Sequence, residues 1–160
     1  LAISHNKIYR DIVCALEAGK NVAMLTIGDP SVYSTYMYIH KSVIQAGFTA
    51  VMISGVPSFC AAAARLGVSL GEMRDEIHII PASYDVRDTV GYGGTCVYMK
   101  SGKKLAELIE VLRTGDAIRK KKMTVYGVTN CGMESERVYR GLDELTEAKG
   151  YLTIVIVKYG

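Results

Sequence analysis

Apolar positions at the start of the chain follow a helical beat. Ile8, Ile12 and Leu16 repeat at four-residue spacing with Tyr9 and Val13 beside them, which predicts one buried face of a helix ending at Gly19. The beat then changes. Val22 to Ile27 is a short apolar run that reads as a buried strand, broken by Gly28-Asp29-Pro30. A helix from about Ser31 to Ala46 is expected next, stopped by Gly47. Thr49 to Ile53 reads as a second strand and Ser54-Gly55 as a turn. Pro57 suits the first turn of a helix over Phe59 to Leu66, stopped by Gly67. Ile77 to Ile80 reads as a third strand, closed by Pro81.

This β-α-β-α-β alternation predicts a parallel sheet flanked by helices. Three strands make a thin sheet. The first residue is Leu, not Met, and the chain opens on a helix, so a leading strand and helix are expected to lie outside this sequence. The second half has a different rhythm. Thr95 to Met99 is strand-like, Ser101 can cap a helix from Lys103 to Arg113, and Leu105, Leu108, Ile109 and Leu112 form its apolar face. Strand-like runs follow near Met123 to Val128, Glu136 to Arg140 and Leu152 to Lys158. Several strands with one clear helix predict a mixed sheet. The fold class is therefore α/β in two domains, 1–82 with a parallel sheet and 83–160 with a mixed one, the boundary near Ala82 to Tyr84.

Composition narrows the function. The 160 residues are 49% hydrophobic and 22% charged, an ordinary globular balance. A net charge of +3 is too small to argue for nucleic acid. The one dense basic run, Arg119-Lys120-Lys121-Lys122, reads as a solvated loop before a strand. Cys14, Cys60, Cys96 and Cys131 are far apart, which fits free thiols in the cytoplasm and neither a disulfide framework nor a metal site. No apolar run approaches about 18 residues, so no membrane-spanning helix is expected, and no secretory signal is read.

Ligands of open α/β sheets bind beyond the carboxyl ends of the strands. Two loops fall there: Gly28-Asp29-Pro30, and Ser54-Gly55-Val56-Pro57-Ser58. Taken alone, Asp29 reads first as an acceptor for free N–H groups of the next helix. Two such loops on neighbouring strands argue for a cleft. Met99-Lys100-Ser101-Gly102-Lys103 lacks the order of a phosphate-binding loop, and His5, His40 and His78 have no ligand spacing. Asn130-Cys131-Gly132 is a third turn at a strand end. These residues alone predict a two-domain protein with a small-ligand cleft, without naming the ligand.

Four stretches together go further: "GDPSVYSTYMYI", "SFCAAAARLGVSLGE", "MKSGK" and "NCGMESERVY". From about Gly19 to Lys158 the chain resembles the tetrapyrrole (corrin/porphyrin) methylase family. The resemblance implies methyl transfer from S-adenosyl-L-methionine, leaving S-adenosyl-L-homocysteine, to ring carbon C-20 of precorrin-2 or cobalt-precorrin-2 in cobalamin biosynthesis. It implies a cofactor pocket between the two domains, lined by Gly28, Asp29, Val32, Pro57, Ser58, Met99, Asn130 and Cys131, with Tyr151, Leu152 and Thr153 closing over the adenine. It also implies a cytoplasmic homodimer that needs no metal. Tyr33, Tyr36 and Tyr92 are candidates for a proton acceptor, and Lys100, Lys103 or Arg137 for steering substrate carboxylates. Two departures matter. The family's leading Gly-Pro-Gly-Asp-Pro loop is absent, and where the family usually has Pro-Gly-Ile-Thr-Ser, Pro57 offers neither hydroxyl nor N–H. The rival readings are a sibling methylase acting at another position or on uroporphyrinogen III, a member acting on a macromolecule, and a non-catalytic relative.

Overall fold

A computed structural model describes residues 2–119 and 123–160. The element order is α1 (Ala2–Glu17), α2 (Tyr36–Gln45), α3 (Ser58–Leu66), β1 (Ile77–Pro81), β2 (Thr95–Met99), α4 (Leu105–Arg119), β3 (Met123–Thr129), β4 (Arg137–Arg140), α5 (Leu142–Leu145) and β5 (Thr153–Tyr159). Short 3-10 turns occupy Arg87–Gly91 and Ser101–Lys103. By contacts the chain divides into two compact units, 1–57 and 58–160. This division falls before the domain boundary expected near Ala82 to Tyr84, because α3 packs on β3 and β5 and β1 pairs with β2. Lys120, Lys121 and Lys122 of the expected basic loop lie outside the described residues, while Arg119 ends α4.

In the first unit α1 packs against α2. Helix α2 begins at Tyr36, not near Ser31 as its sequence predicts. Ser31 is hydrogen-bonded to the Asp29 side chain, and Tyr33 has φ 50°, a left-handed conformation that a right-handed helix cannot contain. The strands expected at Val22–Ile27 and Thr49–Ile53 are not formed; both segments lie outside regular structure. They keep a strand's alternation even so. Leu25, Ile27, Val51 and Ile53 are exposed (76–91%), whereas Met24, Thr26 and Ala50 are partly covered. An apolar sequence makes a strand only when a neighbour takes up its backbone N–H and C=O groups. Among the described residues neither segment has such a ladder. The two segments, α1 and α2 surround a cavity of about 570 Å³.

The second unit is built on a five-stranded mixed sheet in the order β1-β2-β5-β3-β4. β1 and β2 are parallel; β5 runs antiparallel to both of its neighbours, and β3 and β4 are antiparallel. The β2, β3, β4 and β5 strands sit within two residues of their expected ends. Alternate residues build the core on one face. Cys96, Tyr98, Val125, Val155 and Val157 meet Leu105, Leu108, Ile109 and Leu112, the apolar stripe that the helical spacing predicts. α3 covers the sheet through Phe59, Ala62, Ala63 and Leu66, which leaves Val97, Val128 and Ile156 without exposed surface. α4 starts two residues later than expected because Ser101–Lys103 forms a 3-10 turn first. Ser101 does not cap it; its hydroxyl is used elsewhere, as described below.

Leu112 is 1% exposed in the middle of this core. Leu112→Ala is expected to lower stability by about 2–5 kcal/mol through lost transfer energy and the cavity left behind. Chemical unfolding of the variant against the parent chain measures it.

Candidate functional site

Asp29 organises the loops of the first unit. Its Oδ1 accepts from the Ser31 N–H (2.8 Å) and the Ser31 hydroxyl, and its Oδ2 accepts from the Gly55 N–H (2.9 Å). The expectation that it caps the following helix needs correction: α2 starts seven residues beyond it, and the carboxylate joins the two ligand-type loops instead. The Ser31 hydroxyl first, then the Ser31 and Gly55 N–H groups, hold the Asp29 carboxyl below its ordinary value. Gly55 must be glycine for a packing reason. A Cβ there would stand 2.2 Å from the Gly28 carbonyl oxygen. Val32 donates its N–H to the Asp29 carbonyl (3.2 Å), Pro57 ends this unit half-buried, and Ser58 opens α3 in the other. Tyr36 pairs its hydroxyl with His40 Nδ1 at 3.1 Å, while Tyr33 is half-exposed in its left-handed turn.

In the second unit the strand directions gather the remaining candidates at one edge of the sheet. β5 is antiparallel to β2 and β3, so its beginning lies beside both of their ends. Met99-Lys100, Asn130-Cys131 and Tyr151-Leu152-Thr153 therefore converge although they are far apart in sequence. Met99 is 7% exposed, Thr153 fully buried, and Tyr151 and Leu152 are 56% and 44% exposed. Lys100 and Asn130 have φ 57° and 52°. Left-handed non-glycine residues are uncommon and concentrate at binding sites. The Asn130 N–H donates to the Leu152 carbonyl (2.9 Å), tying two of the three turns. Gly102 allows the third to approach: a Cβ on it would lie 1.9 Å from the Gly150 carbonyl oxygen. Lys100 and Lys103 lie on this edge, as does Arg137, which is in register with Thr129. Tyr92, also of this unit, stacks on His78 with ring centroids 4.7 Å apart.

Sequence reasoning missed the supports of these turns. Glu136 accepts from the Gly132 N–H (2.8 Å) and from Arg65 of α3, and these two contacts hold its carboxyl below the ordinary range. The Cys131 thiol beside it is pushed up, by burial first and by the Glu136 charge second, and so stays protonated at neutral pH. Only the spacing Cys131-Gly132 to Glu136 hints at this in the sequence. The close approach of Gly102 to Gly150 leaves no sequence signal beyond the two glycines.

Asp29 and Glu136 both have a folded pKa below the unfolded one. The stability they contribute is present above the unfolded value and lost as pH falls through the folded one. Asp29→Asn and Glu136→Gln should therefore flatten the acid limb of a melting-temperature–pH profile. Gly102→Ala should lower the melting temperature, since its Cβ has no room against backbone. Thermal unfolding followed by circular dichroism checks all three.

The family Tetrapyrrole (Corrin/Porphyrin) Methylases matches residues 1–146. A probable cobalt-precorrin-2 C(20)-methyltransferase of Methanocaldococcus jannaschii is 32% identical over 146 residues, 89% of this chain and 61% of that protein. The chain thus spans about three fifths of this relative's length. The fold is that of cobalt precorrin-4 methyltransferase CbiF (TM-score 0.81, 16% identity, 96% of this chain and 70% of that one). It is also that of the uroporphyrin-III C-methyltransferase of Thermus thermophilus solved with S-adenosyl homocysteine (TM-score 0.74, 17% identity, 96% and 72%). With a family match over most of its length and this identity to a curated member, the chain belongs to the tetrapyrrole methylases.

Proposed function

We propose that this chain is part of an S-adenosyl-L-methionine-dependent methyltransferase that methylates C-20 of precorrin-2 or its cobalt complex in cobalamin biosynthesis. The observation that carries the reading is the 32% identity over 146 residues to a probable enzyme of that specificity. The reading includes a homodimer, as the family resemblance implies, in the cytoplasm, as the widely spaced cysteines suggest.

The residues at the strand ends fit the methyl donor. Half-exposed Tyr151 and Leu152 and buried Met99 offer apolar surface to a flat heteroaromatic ring. Next to them, the backbone turns left-handed at Lys100 and Asn130, a conformation that concentrates at binding sites. In this reading Met99, Asn130, Cys131, Tyr151 and Leu152 hold the nucleoside, and Thr153, which has no exposed surface, supports them from beneath. The family resemblance also assigns Gly28, Asp29, Val32, Pro57 and Ser58 to the donor. When bound, the donor supplies a methyl group on positively charged sulfur, which needs no further activation. A reduced tetrapyrrole carbon is an electron-rich nucleophile. The protein's work is then to align the two and exclude water. Bound there, the donor would give its methyl to that carbon as its carbon–sulfur bond broke, the sulfur leaving neutral and the positive charge passing to the tetrapyrrole, to be lost as a proton. Lys100, Lys103 and Arg137 supply positive charge for the substrate's carboxylates. Asp29 acts as a brace: its carboxylate is committed to Ser31 and Gly55.

Incubating the protein with the donor and each tetrapyrrole tests this reading. The expected outcome is S-adenosylhomocysteine together with a product carrying one added methyl, located at C-20 by NMR with a labelled donor. Methylation at another carbon would transfer the chain to a sibling activity. No turnover, with no binding of S-adenosylhomocysteine by calorimetry, would favour a non-catalytic relative. Asp29→Ala should weaken S-adenosylhomocysteine binding about tenfold, the scale of a lost charge-assisted hydrogen bond; unchanged affinity would return Asp29 to a purely local turn.

A further inference from the structure

The three turns at the sheet edge are joined by a set of buried hydroxyls. Ser101 and Thr153 have no exposed surface, and Thr129 is 2% exposed. The Ser101 hydroxyl donates to the Thr153 carbonyl at 2.9 Å. The Thr153 hydroxyl donates to the Gly150 carbonyl at 2.8 Å and lies 3.1 Å from the Thr129 hydroxyl. Each hydroxyl carries one proton. With the Thr153 proton given to Gly150, the bond between the threonines has one direction, Thr129 donating to Thr153. One residue therefore receives from the turn after β2 and from the end of β3, and donates within the turn before β5.

Backbone packing makes this junction stiff. Gly102 lies against the Gly150 carbonyl, a Cβ on Gly150 would stand 3.2 Å from Thr129 Cγ2, and Asn130 donates to Leu152. The neighbouring exposed residues, Tyr151 and Leu152, hang from this junction.

We propose that Thr153 is a positioning residue that, with Thr129 and Ser101, presets the nucleoside-binding turns without its own side chain touching the ligand. The inference rests on the methyl-donor reading of this edge. Thr153 lacks exposed surface and its one hydroxyl proton is given to Gly150, so it contributes by fixing where Tyr151, Leu152, Lys100 and Asn130 stand. Turns fixed before binding need not be ordered by the ligand, and that ordering would otherwise weaken affinity.

The test is calorimetric titration of S-adenosylhomocysteine into the protein and into Thr153→Val, Thr129→Val, their double variant and Thr153→Ser. All are measured well below their melting temperatures. Valine keeps the branched shape and removes the hydroxyl. Thr153→Val and Thr129→Val should each weaken binding about tenfold, the scale of a buried hydrogen bond lost with its partner left unpaired. The double variant should lose no more than either single one, and Thr153→Ser, which keeps the hydroxyl, should bind as the parent does. A role in stability alone would lower melting temperatures and leave affinity unchanged, which overturns the proposal. A loss in Thr153→Val with none in Thr129→Val would make Thr153 a direct contact, and additive losses would make the two independent; either overturns it. Should Thr153→Val fail to fold, Thr129→Val against Thr129→Ser decides, the same affinity in both overturning the proposal. A parent protein that does not bind would overturn the methyl-donor reading, and this inference with it. A parent that binds alongside variants that bind equally well overturns this inference alone.

Discussion

Strand β5 is hydrogen-bonded on both sides, to β2 along one edge and to β3 along the other. Thr153 to Val157 are buried. Without this segment β2 and β3 would have no common partner, so the order of the sheet depends on it. Its antiparallel direction decides a second matter. A parallel β5 would put its start at the far edge, away from the ends of β2 and β3. Running the other way, it sets Tyr151 to Thr153 beside Met99 and Asn130, and the candidate edge exists because of that choice.

The price of such convergence is backbone crowding, and the sequence meets it with small residues and buried hydroxyls. Gly102 and Gly150 let two turns touch through their main chains. Ser101, Thr129 and Thr153 then bond one another and the carbonyls of the crowded turns. In the first unit the same problem has a charged solution. Gly55 packs on Gly28, and the Asp29 carboxylate accepts the Gly55 N–H across the same contact. Both units hold their loops through backbone contact between glycines, with a carboxylate in one and a set of hydroxyls in the other. Asp29 has its pKa lowered by the bonds it accepts, so that brace is pH-sensitive in acid, whereas the hydroxyl set is not.

The first unit shows what apolar patterning leaves open. Val22–Ile27 and Thr49–Ile53 have strand-like composition and alternate in exposure, yet they form no ladder among the described residues. Exposed Leu25, Ile27, Val51 and Ile53 give them an apolar outer face. Helix α2 is a related case. Its apolar periodicity is real, but Asp29 holds Ser31 and the backbone turns left-handed at Tyr33, so the helix starts at Tyr36.

The sequence by itself determined the α/β class, the mixed sheet of the second half, the stripe of Leu105, Leu108, Ile109 and Leu112, and the family. These are local or near-local signals: a period, a turn residue, a motif read within a dozen positions. Tertiary structure alone decided which donor Asp29 takes, that Ser101 leaves its helix to bond Thr153, and that Glu136 and Arg65 brace the Cys131 turn. Those pairings join residues 26, 52 and 71 positions apart. A side chain with two possible partners takes the one that the folded backbone brings within hydrogen-bond distance, and that distance is not written in the neighbouring residues.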